Sequence, residues 1–299
     1  MVLDKNGRFF KLKISLSDPD DFLKKESVVL RRSDSPSLPI LVDYGTIKIG
    51  DKVTYLLSRI PAGESVRSHG RSCLINELDL FFKSYWVFAH SHNVKPTYKK
   101  IINYFASHLI PENSLGAESL EALQEYSDYD LCEKLLLDLR GDLLNRFEDI
   151  QKYLNKKCHG GLSLDSIFYY GGGFYFEELY NVCMGHPYID FCDLLIEMGS
   201  PAENDIVLWK RFCESGSFPQ DRELYSNVYQ LCIRKKLAAL LVNYIKEVYL
   251  YDSFRYENIF YIADSFSHAY PRFQGIESFD KNKDFIMKTI CEPIFGVKA

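Results

Sequence analysis

His159-Gly160-Gly161-Leu162-Ser163-Leu164-Asp165-Ser166-Ile167-Phe168-Tyr169-Tyr170-Gly171-Gly172-Gly173-Phe174-Tyr175-Phe176-Glu177-Glu178-Leu179 interrupts a chain that reads as mostly helical from about residue 63 onward. Two short apolar runs flank three glycines, the pattern of a tight hairpin behind a loop that begins at His159. The glycines lack the Gly-x-x-x-x-Gly-Lys-Ser/Thr spacing and the following helix that would aim amides at a phosphate, so they read as a turn. Farther on, Gly185-His186-Pro187-Tyr188-Ile189-Asp190 opens a helix, with Asp190 placed to brace the loop.

Outward from this stretch, apolar residues recur every three or four positions. Helices are predicted at roughly 74–92, 97–109, 118–126 and 129–156, the last with Leu131, Leu135, Leu139, Leu143, Phe147, Ile150 and Leu154 on one face. Residues 225–251 repeat the pattern through Val228, Leu231, Leu237, Leu241, Tyr244, Ile245 and Val248. The front of the chain differs. Residues 8–16 alternate as a half-buried strand, with Phe10, Leu12, Ile14 and Leu16 on one face and Lys11 and Lys13 on the other. Ser17-Asp18-Pro19-Asp20 then signals a helix that carries Glu26 and runs to Arg32. Residues 40–45 and 53–58 form a strand hairpin that ends at Pro61-Ala62-Gly63.

The 299 residues carry 36 basic and 41 acidic side chains, a formal charge of −5, which argues against a broad phosphate-binding face and hence against nucleic acid. With 21 Phe and 21 Tyr the chain has too much apolar surface to stay unfolded. No leader pattern and no apolar run of membrane-spanning length is present, so a cytoplasmic protein with no membrane partner is expected. Eight scattered cysteines without a Cys-x-x-Cys pair read as reduced thiols. Cys183, His186 and Cys192 are the tightest set of candidate zinc ligands, but the second close pair typical of structural zinc is missing. His90 and His92, two apart on a helix, point to opposite sides.

The order of parts resembles the protein-kinase-like fold of the aminoglycoside phosphotransferase and choline kinase family: lysine strand, glutamate helix, hairpin, linker, long helix, His-Gly loop, second hairpin. The resemblance implies an α+β, two-lobed architecture. A small, truncated N-terminal sheet lobe would occupy 1–62, without the glycine-rich loop hairpin. A larger, mainly helical lobe would occupy 63–299, with inserted helices at about 66–130. It also implies that Lys13, or Lys11 in the same strand, grips nucleotide phosphates while Glu26 holds it, and that ATP and magnesium are the candidate cofactors. The adenine would follow Tyr55-Leu56-Leu57-Ser58-Arg59-Ile60.

The departures from the family pattern fall on the chemistry. The family's His-Gly-Asp-Leu-x-x-x-Asn loop uses its Asp to deprotonate the substrate hydroxyl and its Asn to bind metal; here those positions are Gly161 and Ser166, while His159 and Asp190 remain as structural residues. Counting back from Asp190 puts the metal-binding carboxylate at Glu178, with Glu177 and Asp165 as the acids nearest the missing groups. A positioned base contributes about 10²- to 10⁴-fold to such a transfer. The resulting expectation is a pseudokinase acting as a regulatory or scaffolding module that binds a protein partner through its helical lobe. The alternative is an ATP- and magnesium-dependent phosphotransferase acting on a hydroxyl-bearing small molecule, with Lys13 and Glu26 on the nucleotide and Glu178 on the metal. Lys13 with Glu26 also reads as an ordinary surface ion pair.

Overall fold

The structure is a computed structural model that describes residues 2–3, 8–16, 22–33, 35–49, 51–60, 64–91, 127–247 and 256–288. The helices expected at 97–109 and 118–126 lie outside these residues. The architecture is a small sheet lobe followed by a larger, mainly helical lobe. By packing, the chain forms two compact units, one of residues 1–99, 155–194 and 206–220, the other of 100–154, 195–205 and 221–299.

In the first unit, β1 (Val2–Leu3), β2 (Phe9–Ser15), β3 (Ile40–Ile49) and β4 (Asp51–Ile60) form an antiparallel sheet in the order β1-β2-β4-β3. The hairpin of β3 and β4 is longer than its two apolar runs because charged residues at the turn continue the ladder from Lys48↔Lys52 to Ile49↔Asp51. Register decides which face of β2 is inward. Lys11 pairs with Ser58 and Lys13 with Leu56, both buried, whereas Leu12, Ile14 and Leu16 are exposed. Period-two alternation defines two faces without saying which one the fold covers, and here it covers the lysine face. Helix α1 (Phe22–Arg32) buries Leu23, Glu26, Ser27, Val29 and Leu30, a stripe at helical spacing with a carboxylate in its middle.

The segment expected as one helix at 74–92 holds the end of α3 (Arg71–Asn76) and then α4 (Leu78–His90), with a further short helix, α2 (Val66–His69), before them. Gly70 stands between α2 and α3 with φ +106, a conformation that favours glycine. Helix α4 buries Phe81, Phe82, Tyr85, Trp86 and Phe88. Their rings meet Phe174, Phe176 and Phe212 edge-on or tilted, with centroids 4.8–6.2 Å apart. This aromatic layer lies under β7 (Ile167–Tyr170) and β8 (Gly173–Phe176), the hairpin read from the glycines, and β5 (Glu64–Ser65) adds a strand to it. A separate ladder of β6 (Lys156–Cys158) with β9 (Cys183–Gly185) ties the two ends of the loop region together.

In the second unit, the helices Ser127–Ile150 and Arg222–Ile245 pack together, with Leu135, Leu139, Leu143, Phe147 and Ile150 buried as the spacing requires. Leu131, expected on the same face, is 42% exposed. The helix Tyr256–Phe273 packs on Arg222–Ile245, and Arg272 holds the buried Asp205 through Nη2 and Nε at 2.7 and 2.9 Å. Among the described residues no helix is long and apolar enough to cross a membrane.

Candidate functional site

All the chemistry-bearing residues singled out above fall in the first unit. Lys11 and Lys13, two apart on β2, project from one face, and each meets a carboxylate. Lys13 Nζ donates to both oxygens of Glu26, at 2.7 and 2.8 Å. Lys11 Nζ is ion-paired with Glu177, and Lys13 Nζ lies 4.0 Å from that same carboxylate. The Glu26 and Glu177 side chains are 2% and 4% exposed, so each acid is nearly dry and depends on its lysine. Burial raises the pKa of Glu26 against the pull of Lys13. The Lys13–Glu26 pair is thus an interior pair rather than an ordinary surface one, and the four charges sum to zero.

The loop after β6 is hung on Asp190. Its carboxylate, fully buried, accepts from the backbone N–H of His159 at 2.5 Å, the N–H of Gly160 at 2.8 Å and the hydroxyl of Tyr85 at 2.7 Å. Burial pushes its pKa up to about 6, and the three donors pull against that shift. His159 Nε2 lies 2.6 Å from the carbonyl oxygen of Glu177 and donates to it, which leaves Nδ1 as a buried acceptor without a hydrogen bond. Burial lowers the His159 pKa to about 4, so the ring is neutral. Gly160 sits at φ +74, and a Cβ there would meet the Asn181 carbonyl oxygen at 2.5 Å.

The positions that differ from the family motif are filled by local contacts. A Cβ on Gly161 would lie 2.9 Å from Asn181 Nδ2, so the asparagine side chain lies against the place where the family carries its aspartate. Ser166 is buried and turned into its own loop: its hydroxyl donates to Ser163 O and accepts from Ser163 N, both at 2.9 Å. Asp165, half-exposed, is held by Arg67 Nε at 2.7 Å rather than turned into the loop. Counting by sequence points to Glu178, but the acid set against the lysines is its neighbour Glu177. Glu178 takes a left-handed backbone, φ 58 and ψ 39, and its carboxylate has no ion pair or hydrogen bond among the described residues.

Two features of this arrangement had no signal in the sequence: the Tyr85 hydroxyl, 105 residues from Asp190, and the Asn181 amide beside Gly161. The candidate zinc residues do not gather. His186 Nδ1 accepts from Tyr188 N, Cys183 Sγ lies 3.6 Å from Cys158 Sγ, and among the described residues no group of three metal-ligand side chains forms. Cys73, Cys158, Cys183, Cys192, Cys213 and Cys232 are free thiols.

No family model and no curated relative matches the sequence. Solved structures do. A thermostable mutant of aminoglycoside phosphotransferase APH(4)-Ia is similar with a TM-score of 0.57 at 12% identity, over 91% of this chain and 90% of that one. A choline/ethanolamine kinase family protein from Mesorhizobium loti gives 0.56 at 12% identity, over 86% and 80%. The amicoumacin kinase hAmiN, in complex with AMP-PNP and Ca2+, gives 0.59 at 13% identity, over 90% and 84%. The chain therefore has the fold of aminoglycoside phosphotransferases and choline/ethanolamine kinases.

Proposed function

We propose that this chain is a kinase-fold binding module that holds nucleotide without transferring its phosphate, and that it acts as a regulatory or scaffolding protein with a protein partner on its helical lobe. The observation that carries this reading is the loop of residues 159–166. Gly161 has no side chain to take a proton, Asn181 lies against its space, Ser166 is bonded within the loop and Asp165 is held by Arg67. Phosphoryl transfer rests on positioning and charge stabilisation, and that loop offers no carboxylate for a substrate hydroxyl.

The lysine site supports nucleotide binding. Lys13, clamped by Glu26, is oriented as a point charge for a phosphate, and the unpaired carboxylate of Glu178 suits one ligand position of a magnesium ion that takes its other ligands from phosphates and water. When bound, magnesium would neutralise phosphate charge. Lys11, already paired with Glu177, contributes less to a phosphate than its position suggests.

The test is calorimetry and thermal shift with ATP and ADP, with and without magnesium, together with ADP release. Magnesium-dependent stabilisation of about 2.7 kcal/mol at a hundred times the dissociation constant, without ADP release, is the expected result. Absence of binding at millimolar nucleotide would overturn the nucleotide part of the reading. ADP release that Glu178→Ala abolishes would overturn the rest, and would favour the second reading, a phosphotransferase that takes its base from elsewhere.

A further inference from the structure

At the end of the sheet where β2 starts, β3 starts and β4 ends, the first unit holds an open cavity of about 820 Å³, within the size range of small-molecule sites. Arg8, Arg31 and Arg59 line it, and no described acidic side chain does. Arg31 and Arg59 have no ion pair among the described residues, so no described carboxylate neutralises their guanidinium forks. None of Lys11, Lys13, Glu26 or Glu177 borders the cavity, which separates it from the lysine site.

The other walls define the ligand. Ser33 and Ser35 also line it, their hydroxyl oxygens accepting from Ser35 N and Ser37 N at 3.1 and 3.4 Å, and neither hydroxyl donates to a described residue. The guanidinium groups of Arg31 and Arg59 and two serine hydroxyls supply more donors than the two oxygens of a carboxylate accept, and they suit the three terminal oxygens and double charge of a phosphomonoester. Phe9, Leu38 and Ile60 give the cavity an apolar side that a bare inorganic ion would leave uncovered. Arginine recognises phosphate bidentately through its planar fork, which the point charge of a lysine does not.

We propose that this cavity binds a small organic phosphomonoester, its phosphate on Arg31 and Arg59 with the two serine hydroxyls and its apolar part against Phe9, Leu38 and Ile60. The site is independent of the lysine site, and its failure leaves the proposed function untouched.

The probes are phenyl phosphate, inorganic phosphate and phenol, titrated by calorimetry into the full chain. Phenyl phosphate is expected to bind more tightly than either fragment and to weaken as salt is raised. Arg31→Ser/Arg59→Ser should weaken it about tenfold or more, since bonds to charged groups are the strong ones. Arg31→Lys/Arg59→Lys, which keeps the charge and loses the forks, should fall between. Equal phenyl phosphate affinity in wild type and the serine variant, or no heat at millimolar phenyl phosphate in the wild type, would overturn the proposal. So would phenol binding as tightly as phenyl phosphate.

Discussion

His159 and Asp190 titrate in opposite senses across the same pH window, and removing either one should expose the other. The His159 pKa falls from an ordinary 6.5 to about 4, so the unfolded chain binds the extra proton and stability is lost as the pH drops below about 6.5. The Asp190 pKa rises from 3.8 to about 6, so the native state binds the extra proton and stability is gained as the pH drops below about 6. Each shift exceeds two units, about 3 kcal/mol over the full range at about 1.36 kcal/mol per unit. Between about pH 6.5 and about pH 4.5 each contributes about 2 kcal/mol, of opposite sign. The wild type is therefore nearly flat in this pair. His159→Phe should gain about 2 kcal/mol relative to wild type over that step, and Asp190→Asn should lose about 2 kcal/mol. Trp86 and Trp209, the only two tryptophans, both lie in the first unit, so urea unfolding followed by their fluorescence reads the unit concerned. Both variants are destabilised at neutral pH, because one loses a ring and the other an acceptor for three donors. The change with pH, not the absolute value, carries the test. Parallel changes in the two variants would refute the reasoning, as would a wild type that moves more steeply than either.

Lys13→Met removes the cation from a nearly dry carboxylate, and should cost about 3–5 kcal/mol in urea unfolding, with part regained in Lys13→Met/Glu26→Gln. Gly216→Ala would place its Cβ 2.2 Å from Trp86 Cδ2, in contact with a buried ring that is held by its own bond to Phe212 O at 2.7 Å; a loss of at least about 1–3 kcal/mol is expected, and a melting temperature within a degree or so of wild type would contradict it. Gly161→Asp meets only the far end of the Asn181 side chain, so the variant should fold, yet it should release no ADP from ATP, since Ser166 stays bonded within its loop; measurable release would mean that the base alone was missing.

What the sequence made legible follows from what each signal encodes. Three glycines between apolar runs locate the hairpin because turn chemistry is local, and β7 and β8 fall where those runs stand. The pairing of Lys13 with Glu26 is short in chain separation and sits on one strand and one helix, so order and spacing suffice to bring it together. Alternation along β2 was equally plain, but it is symmetric between the two faces, and burial went to the lysine face because α1 supplies Glu26 and the stretch after β8 supplies Glu177. The same parity explains the acids. A count along the chain reaches Glu178, whereas the carboxylate delivered to the lysines is one residue earlier, and near a strand a single step reverses the direction of a side chain. Asp190 could be expected as a brace from its place beside a helix start, but its third donor, Tyr85, arrives from α4 through an aromatic layer whose packing is written over the whole unit rather than in any short window. Gly161 is the sharpest case. The sequence shows an absent carboxylate and says nothing of what fills its place; the Asn181 amide beside it means that restoring the acid also requires moving a neighbour, so loss of the base and repacking of the loop belong to one change.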